Sequence, residues 1–455
     1  MFSNESTSKN ALTQQELNLI HKNTVKILEE DGIKINNEKA LQIFEDNNIK
    51  IKGKKVYISQ TQLEELISEI PKHFTLQARN QDNNINIGNS TPIFGPPLGP
   101  PFIYENGNNR YGKYEDYLNL VKIFQQNKYI DIVGGDMIAP TDVEKNKRHK
   151  KMFYTSAVYS DKPLIGNGSG YQETKACLEM GEKIFGEENL KNNHYILKLV
   201  GASSPLEYNK KALHTLMNFA EHSQPLAIYS QSMAGMTSPL TLAGLLTLQN
   251  AEILLGAVLV QLINTSTPVI YGSTSSVTDM KSGNITVGNG YYSKIIKATS
   301  QIADYYNIPS MLAGGITDSK SLGYQAGYET MLNMQTAVNN NVDLIIFAAG
   351  SIDNYLGVSY EKLLDDFIML ESLNNSNSNI QIDENTIAKD IISEIGSGDN
   401  YLTHPHTLDN LESNLGKQND IENYEEKINQ LIEDYKKPSM DRKTDKRLKD
   451  LANKN

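Results

Sequence analysis

His404-X-His406 is the closest pairing of histidines in the chain. Two histidines one residue apart can share a cation, but a structural or catalytic zinc needs further cysteine or carboxylate ligands. The only cysteine is Cys177, and no carboxylate stands at a recognisable ligand spacing. The pair therefore reads as a hydrogen-bonding or anion-anchoring element, and no metal site is expected. No GxGxxG follows the first strand-like run, and GxxxxGK[ST], GxSxG and HExxH are absent. The commonest dinucleotide, phosphate-loop, acyl-transfer and zinc-hydrolase chemistries are thus not signalled.

A second grouping lies in PSMLAGGITDSKSLGYQAGYETMLNMQTAVNNNVDLIIFAAGSIDNYLGVSYEKLLDD, residues 309–366. Pro309 to Gly315 and Val342 to Gly350 are short apolar runs ending in small residues, as parallel strands buried on both faces do. The stretch Gly323 to Ala337 between them has helix formers and no proline, so the unit reads strand, glycine-rich loop, helix, strand. Ligands in such sheets sit at the carboxyl ends of the strands. Gly314, Gly315, Thr317, Asp318 and Lys320 are thereby placed on one candidate site loop, and 349–360 on the next.

The same alternation recurs upstream. Strand-like runs end at Gly134-Gly135-Asp136, in 163–170, at Gly201 to Pro205, at Ser232 and at Ser276, each followed by a helical stretch. The helix 241–264 is apolar on most sides, as a wedged helix would be. Seven strand–helix units over more than 200 residues favour a closed (β/α)8 TIM-type barrel. The eighth strand is left open, with Leu356 to Ser359 as one candidate.

The organisation expected is an N-terminal α/β extension over 1–110, a barrel over 111–375 and a C-terminal extension over 376–455. The extension opens with a capping-box pattern at Thr13 to Glu16 and carries a second at Thr61 to Glu64. It closes on 94–104, FGPPLGPPFIY, whose four prolines argue for an irregular rigid loop, a wall for a pocket. The charged segment 419–455 reads as a solvated helix with a frayed end.

At 455 residues and a net charge of −11, the chain lacks the basic balance of a nucleic-acid-binding body. No run approaches the roughly 18 consecutive apolar residues of a membrane span, so no membrane is expected. The opening MFSNESTSKNALTQQ has no basic region followed by an apolar core, and one cysteine permits no internal disulfide. A cytoplasmic chain is expected.

The ordered blocks LTQQELNLIHKNTVKILEEDGI, FGPPLGPPF, GASSPLEYNKKAL, LTLAGLLTLQNAEILLGAVLVQLI, PVIYGSTSS, GGITDSKSLGYQAGYET, SYEKLLDD and YLTHPHTLDNL resemble the trimethylamine methyltransferase superfamily, nearly end to end. The trimethylamine enzymes of that superfamily carry pyrrolysine. Every position here is an ordinary amino acid. The resemblance is therefore to the non-pyrrolysine branch, whose characterised members demethylate quaternary amines such as glycine betaine, proline betaine or carnitine.

The resemblance implies methyl transfer from a quaternary amine to the Co(I) centre of a cognate corrinoid protein. The corrinoid would be the partner's, since no Asp-X-His-X-X-Gly pattern is present and no tightly bound cofactor is expected. A homo-oligomer is expected by analogy. A trimethylammonium group implies aromatic faces, for which the candidates are Phe94, Phe102, Tyr104, Tyr229, Tyr271 and Phe347. A betaine carboxylate would be met by His404 and His406, with Lys320 and Arg110 behind them. Asp318 and Gln231 are the catalytic candidates, and Gly314, Gly315 and Ser275 are placed towards the corrinoid.

Two other readings compete: a barrel lyase or aldolase, and a binding protein that keeps the ammonium site but transfers nothing. A lyase would need a Schiff-base lysine or a metal. Lys198 is the only lysine inside a predicted strand core, so the direction it faces discriminates.

Overall fold

The structure is a computed structural model that describes residues 10–105, 107–410 and 421–454; the opening stretch 1–9 lies outside the described residues. Eight parallel strands form one curled sheet. In chain order they are β1 (Ile93–Phe94), β2 (Val133–Gly134), β3 (Leu164–Ile165), β4 (Ile196–Gly201), β5 (Leu226–Ser230), β6 (Val269–Ser273), β7 (Ser310–Ala313) and β8 (Leu344–Ile346). Each is followed by a helix: α1 (Tyr114–Gln126), α2 (Lys145–Tyr159), α3 (Tyr171–Phe185), α4 (Lys210–Glu221), α5 (Leu242–Ile263), α6 (Gly290–Tyr305), α7 (Tyr324–Asn339) and α8 (Tyr360–Asn377). The strands neighbour one another in sequence order and β8 pairs with β1. This is a (β/α)8 barrel.

Its seam lies between β1 and β2. The Asp131 N–H donates to the Phe94 carbonyl at 2.9 Å, and the Phe94 N–H donates to Asp131 Oδ2 at 2.8 Å. Burial pushes the Asp131 carboxyl up to about 6, against the Phe94 N–H and the Lys162 charge. Lys162 gives its ammonium to the carbonyls of Phe124, Asn127 and Ile130. Side chains thus reinforce a closure that two-residue strands make weakly.

The eighth strand is therefore Ile93–Phe94, inside the proline-rich stretch that reads as irregular, and the barrel begins upstream of residue 111. Gly357–Ser359 is a strand too, but it pairs in parallel with Phe102–Glu105 in a separate four-stranded sheet on the rim. The prolines of 96–101 obscure both pieces, since each strand is too short to show a period beside them.

The N-terminal extension folds as its caps dictate. Thr13 and Glu16 form the capping box of helix Gln14–Lys26. The second box is one turn-start earlier than read: Ser59 with Gln62 caps Gln60–Ser68, in place of Thr61 with Glu64. Strand Ile33–Ile35 pairs in parallel with Glu207–Tyr208 from the loop after β4, which ties the extension to the barrel. The extension's helices pack on α5.

That packing explains α5. By length and composition it could cross a membrane, but 78% of its apolar window is buried between the barrel and the extension. Glu252, Asn250 and Gln249 are fully buried within it and hydrogen-bonded to Ser230, Tyr271 and Ser273.

The C-terminal charged segment is docked where it was expected to fray. Helix Tyr424–Glu433 packs on α8 and α1, and Arg442–Asn453 packs on α2 and α3 with Leu448 fully buried. Apolar side chains at its three-to-four-residue spacing, hidden among seven charged neighbours, account for the difference.

Candidate active site at the barrel mouth

Strand parity decides which side chains enter the barrel. Gly201, Tyr229, Gly272, Met311, Leu344 and Ile93 are successive register partners around β4, β5, β6, β7, β8 and β1. They face one side, the interior. Their neighbours Ile228, Tyr271 and Ser310 face the helices. Tyr271 accordingly is fully buried, with its hydroxyl donating to Asn250 of α5 at 3.0 Å.

Tyr229 is the large member of this layer. A Cβ built on Gly201 would lie 2.9 Å from its Cζ, and one on Gly272 would lie 2.8 Å from its Cβ. Two glycines in register are what allow the ring to lean across β4 at the mouth. Asp136, two residues beyond β2, and Asn167, two residues beyond β3, continue the rim. Asn167 Nδ2 donates to the Gly135 carbonyl, the Tyr117 hydroxyl and Asp136 Oδ1. The Gly168 N–H donates to the same Asp136 oxygen at 3.4 Å. The loop of β1 folds over this corner: the Gly99 N–H donates to the Asp136 carbonyl at 2.8 Å, and Leu98 covers Gly135. The wall that 94–104 supplies is thus made by Leu98 and Gly99.

The opposite side of the mouth is built by the loops of β7 and β8. Phe347 and Tyr355 meet edge to face, ring centroids 4.8 Å apart, and the Tyr355 and Tyr292 hydroxyls are 3.3 Å apart. Phe347, Asp353, Asn354 and Tyr355 all have positive φ, 52° to 73°. Non-glycine residues held there store strain, and such residues cluster at functional loops. Gly315 has no room for a side chain, since a Cβ would sit 2.5 Å from the Phe347 carbonyl oxygen. Burial raises the Tyr229, Tyr292 and Tyr355 hydroxyls well away from ionisation.

Behind these loops lies a buried ion pair. Lys362 Nζ reaches Asp366 at 2.7 Å and the Gly315 carbonyl at 3.3 Å, while the Gly350 N–H donates to Asp366 at 2.7 Å. Both site loops are therefore anchored to α8. Asp318 accepts the Val287 N–H at 2.7 Å, and burial raises its carboxyl. Glu329 accepts from Thr317 Oγ1 at 2.6 Å and from the Asp318 N–H at 2.8 Å.

The sequence-derived candidates divide accordingly. Tyr229, Gln231, Phe347, Asp318, Gly314 and Gly315 gather at the strand ends, with Gln231 exposed. Ser275 is buried and ties β5 to β6, accepting the Ser232 N–H at 3.0 Å and donating to the Ser230 carbonyl at 3.3 Å. Tyr271 lies in the helix layer, as does Phe94, the register partner of Ile345, whose side chain lies beside Gly314 and Met334.

Phe102 packs on Tyr111 in the rim sheet, ring centroids 5.0 Å apart, and Tyr104 donates to Asp353. Lys320 is exposed and 3.8 Å from Asp353. Arg110 is committed to Glu105 and Asp116, at 2.9 and 2.7 Å. His404 accepts the His406 N–H and lies 3.7 Å from Glu394, all within the C-terminal extension. Lys198 shares its side of the sheet with Leu226, facing the helices, and donates to the Gly166 carbonyl at 2.8 Å. It is directed away from the interior that a Schiff-base lysine would need.

Asp136, Asn167 and Tyr355 were not singled out from the sequence. The signal for the first two was available: each stands at the small-residue end of a strand-like run, as Gly-Gly-Asp and Gly-Asn-Gly.

A family model described as trimethylamine methyltransferase matches residues 2–455. The glycine betaine methyltransferase of Desulfitobacterium hafniense is 38% identical, over 88% of this chain and 84% of its own. The proline betaine:corrinoid methyltransferase of Eubacterium limosum is 28% identical, over 89% of this chain and 85% of its own. Among solved structures, the hydroxylamine complex of MtmB has a TM-score of 0.54 at 12% identity, covering 98% of this chain and 89% of that one, a likeness of fold.

Proposed function

The chain belongs to the trimethylamine methyltransferase family, and from that premise we propose that it transfers a methyl group from a quaternary amine of the betaine class to the Co(I) centre of a corrinoid carried by a separate protein. The observation that carries this reading is the match, over most of both chains, to relatives named for glycine betaine and proline betaine. The mouth suits it in two ways. Tyr229 on one side and Phe347 with Tyr355 on the other offer aromatic faces to a trimethylammonium group. The tyrosine hydroxyls are held protonated and poor as acids or bases.

Those properties fit displacement at a methyl carbon. A quaternary ammonium leaves as a neutral tertiary amine, so no proton has to be delivered. What the protein supplies is alignment, with the methyl group in line between the amine nitrogen and the incoming nucleophile, and exclusion of water. Gln231, exposed at the end of β5, is positioned to contact the substrate or the arriving corrinoid. Asp318 holds the 287–288 backbone and so shapes the rim. Gly314 and Gly315 are buried and let the loop of β7 pack closely on Ile345, Met334 and the Phe347 carbonyl, which fixes the loop that carries Asp318.

The test is methyl transfer in vitro. Purified protein with a reduced corrinoid protein is supplied with glycine betaine, proline betaine, carnitine, choline or trimethylamine, and methylation of the corrinoid is followed by absorbance. Transfer from a quaternary amine and none from trimethylamine is the expected result. Binding of a quaternary amine without transfer to any corrinoid would replace this reading with a binding role.

A further inference from the structure

Resting on the quaternary-amine reading, we propose that Asp136 is the counter-charge for the substrate ammonium, with the Asn167 carbonyl oxygen beside it. Asp136 is partly exposed at the end of β2, on the same rim as Tyr229. Both side-chain hydrogen bonds that reach it, from Asn167 Nδ2 and the Gly168 N–H, go to Oδ1. Oδ2 accepts nothing among the described residues.

Asn167 is the second, independent observation. It is fully buried, and its Nδ2 is spent on Gly135, Tyr117 and Asp136, which fixes the amide orientation because all three are acceptors. Its Oδ1 has no partner among the described residues. Its Nδ2 reaches the Gly135 carbonyl and Tyr117 of α1, so the side chain bridges the ends of β2 and β3 beside Asp136. A buried carbonyl oxygen without a donor is costly unless something completes it.

A quaternary ammonium is the cation this corner matches. It has no N–H to give, and spreads its charge over methyl hydrogens that rest against carboxylate and carbonyl oxygens and on an aromatic face. Of the nearby bases, Lys198 is turned to the Gly166 carbonyl, and burial lowers the pKa of both Lys198 and His149 while Asp136 opposes that shift. Asp136 is felt at Tyr229, where it adds to the effect of burial in raising the phenol.

The pair also predicts how the kinetics divide. Positive charge on nitrogen is fullest in the bound substrate and fades as the methyl group leaves. A carboxylate that stabilises it acts on the ground state, so its loss raises KM and leaves kcat unchanged or higher.

The experiment compares tetramethylammonium and choline with 3,3-dimethyl-1-butanol, the uncharged isostere of choline, by calorimetry on wild type, D136N and D136E. Asn in place of Asp can still accept from Asn167 and Gly168, so the fold is expected to survive, which a thermal melt checks. D136N should bind both cations roughly ten- to thirtyfold more weakly and the alcohol within about twofold of wild type. D136E should recover most of the cation preference, separating charge from packing. With the active quaternary amine, KM should rise by the same factor at unchanged kcat. Equal weakening of charged and uncharged ligands, or no weakening, overturns the assignment while leaving the proposed function standing. A wild-type protein that neither binds nor demethylates any quaternary amine overturns both.

Discussion

Placing a single methyl group at Gly201 tests whether the position of the Tyr229 ring governs activity. The alanine Cβ would stand 2.9 Å from Tyr229 Cζ and 3.1 Å from its Cε2 and Oη. Carbon pairs are comfortable at about 3.5–4.0 Å, so the ring must retreat by roughly 0.6–1 Å. Tyr229 is partly exposed and its free side is the mouth, so it can yield there without breaking the barrel. The stability cost should be about 1 kcal/mol, at the low end of overpacking. The retreating ring enters the space where substrate binds. A displacement of about 1 Å at a reacting centre can cost up to roughly 100-fold, and a tenfold to hundredfold loss in kcat/KM corresponds to about 1.4–2.7 kcal/mol in the barrier.

The assay is steady-state methyl transfer by Gly201→Ala, run beside Tyr229→Ala and the double variant. If the methyl acts by moving the ring, G201A costs nothing further once the ring is gone. Unchanged transfer in G201A, or an equal loss in both backgrounds, would refute the placement of Tyr229 in the site.

Two predictions concern the frame that holds the mouth. Lys362→Met leaves the buried Asp366 carboxylate without its cation, and should cost about 3–5 kcal/mol by urea unfolding; Lys362→Met with Asp366→Leu should recover most of it. A single-variant loss under about 1 kcal/mol would show that the loops do not depend on the pair. Asp131 makes the barrel seam pH-sensitive. Its folded-state carboxyl is raised from 3.8 to about 6, so the native state holds its proton more tightly and stability falls as pH rises between these values, by up to about 3 kcal/mol. Asp131→Asn keeps an acceptor for the Phe94 N–H and should remove that step from the difference between the two urea midpoints; an identical pH profile for both proteins would rule the carboxyl out.

Elements with enough length to show a period were legible from residue types alone. The runs around Val269–Ser273 and Ser310–Ala313 read as buried strands, and α5 read as a wedged helix, because segments dominated by apolar residues on all sides leave few alternatives. Ile93–Phe94 could not be read that way. Two residues carry no alternation, and the prolines beside them signal the opposite of a strand. The closure of the barrel depends on Asp131, whose partner at Phe94 is 37 residues away, and separation of that kind is invisible in a local pattern. The Arg442–Asn453 helix was obscured differently, by a charge density that outweighed the few apolar residues that dock it.

The site failed to be legible at the same level, that of facing. Tyr229 and Tyr271 are both strand tyrosines on adjacent strands, and composition treats them alike. Yet Tyr229 pairs with Gly272 while Tyr271 pairs with Ile228, a register offset of one residue, and one residue reverses the face of a strand. One tyrosine therefore lines the mouth while the other braces α5. A barrel interior is filled in layers, and a large ring can enter a layer near the mouth only where its register neighbours are small. Gly201 and Gly272 meet that condition on both flanks of Tyr229, whereas Tyr271 is flanked by Ile228 and Ser310. A large aromatic with glycine in register on both sides is thus a readable mark of an interior position once the strands are aligned, and the alignment was the part that the residue types withheld.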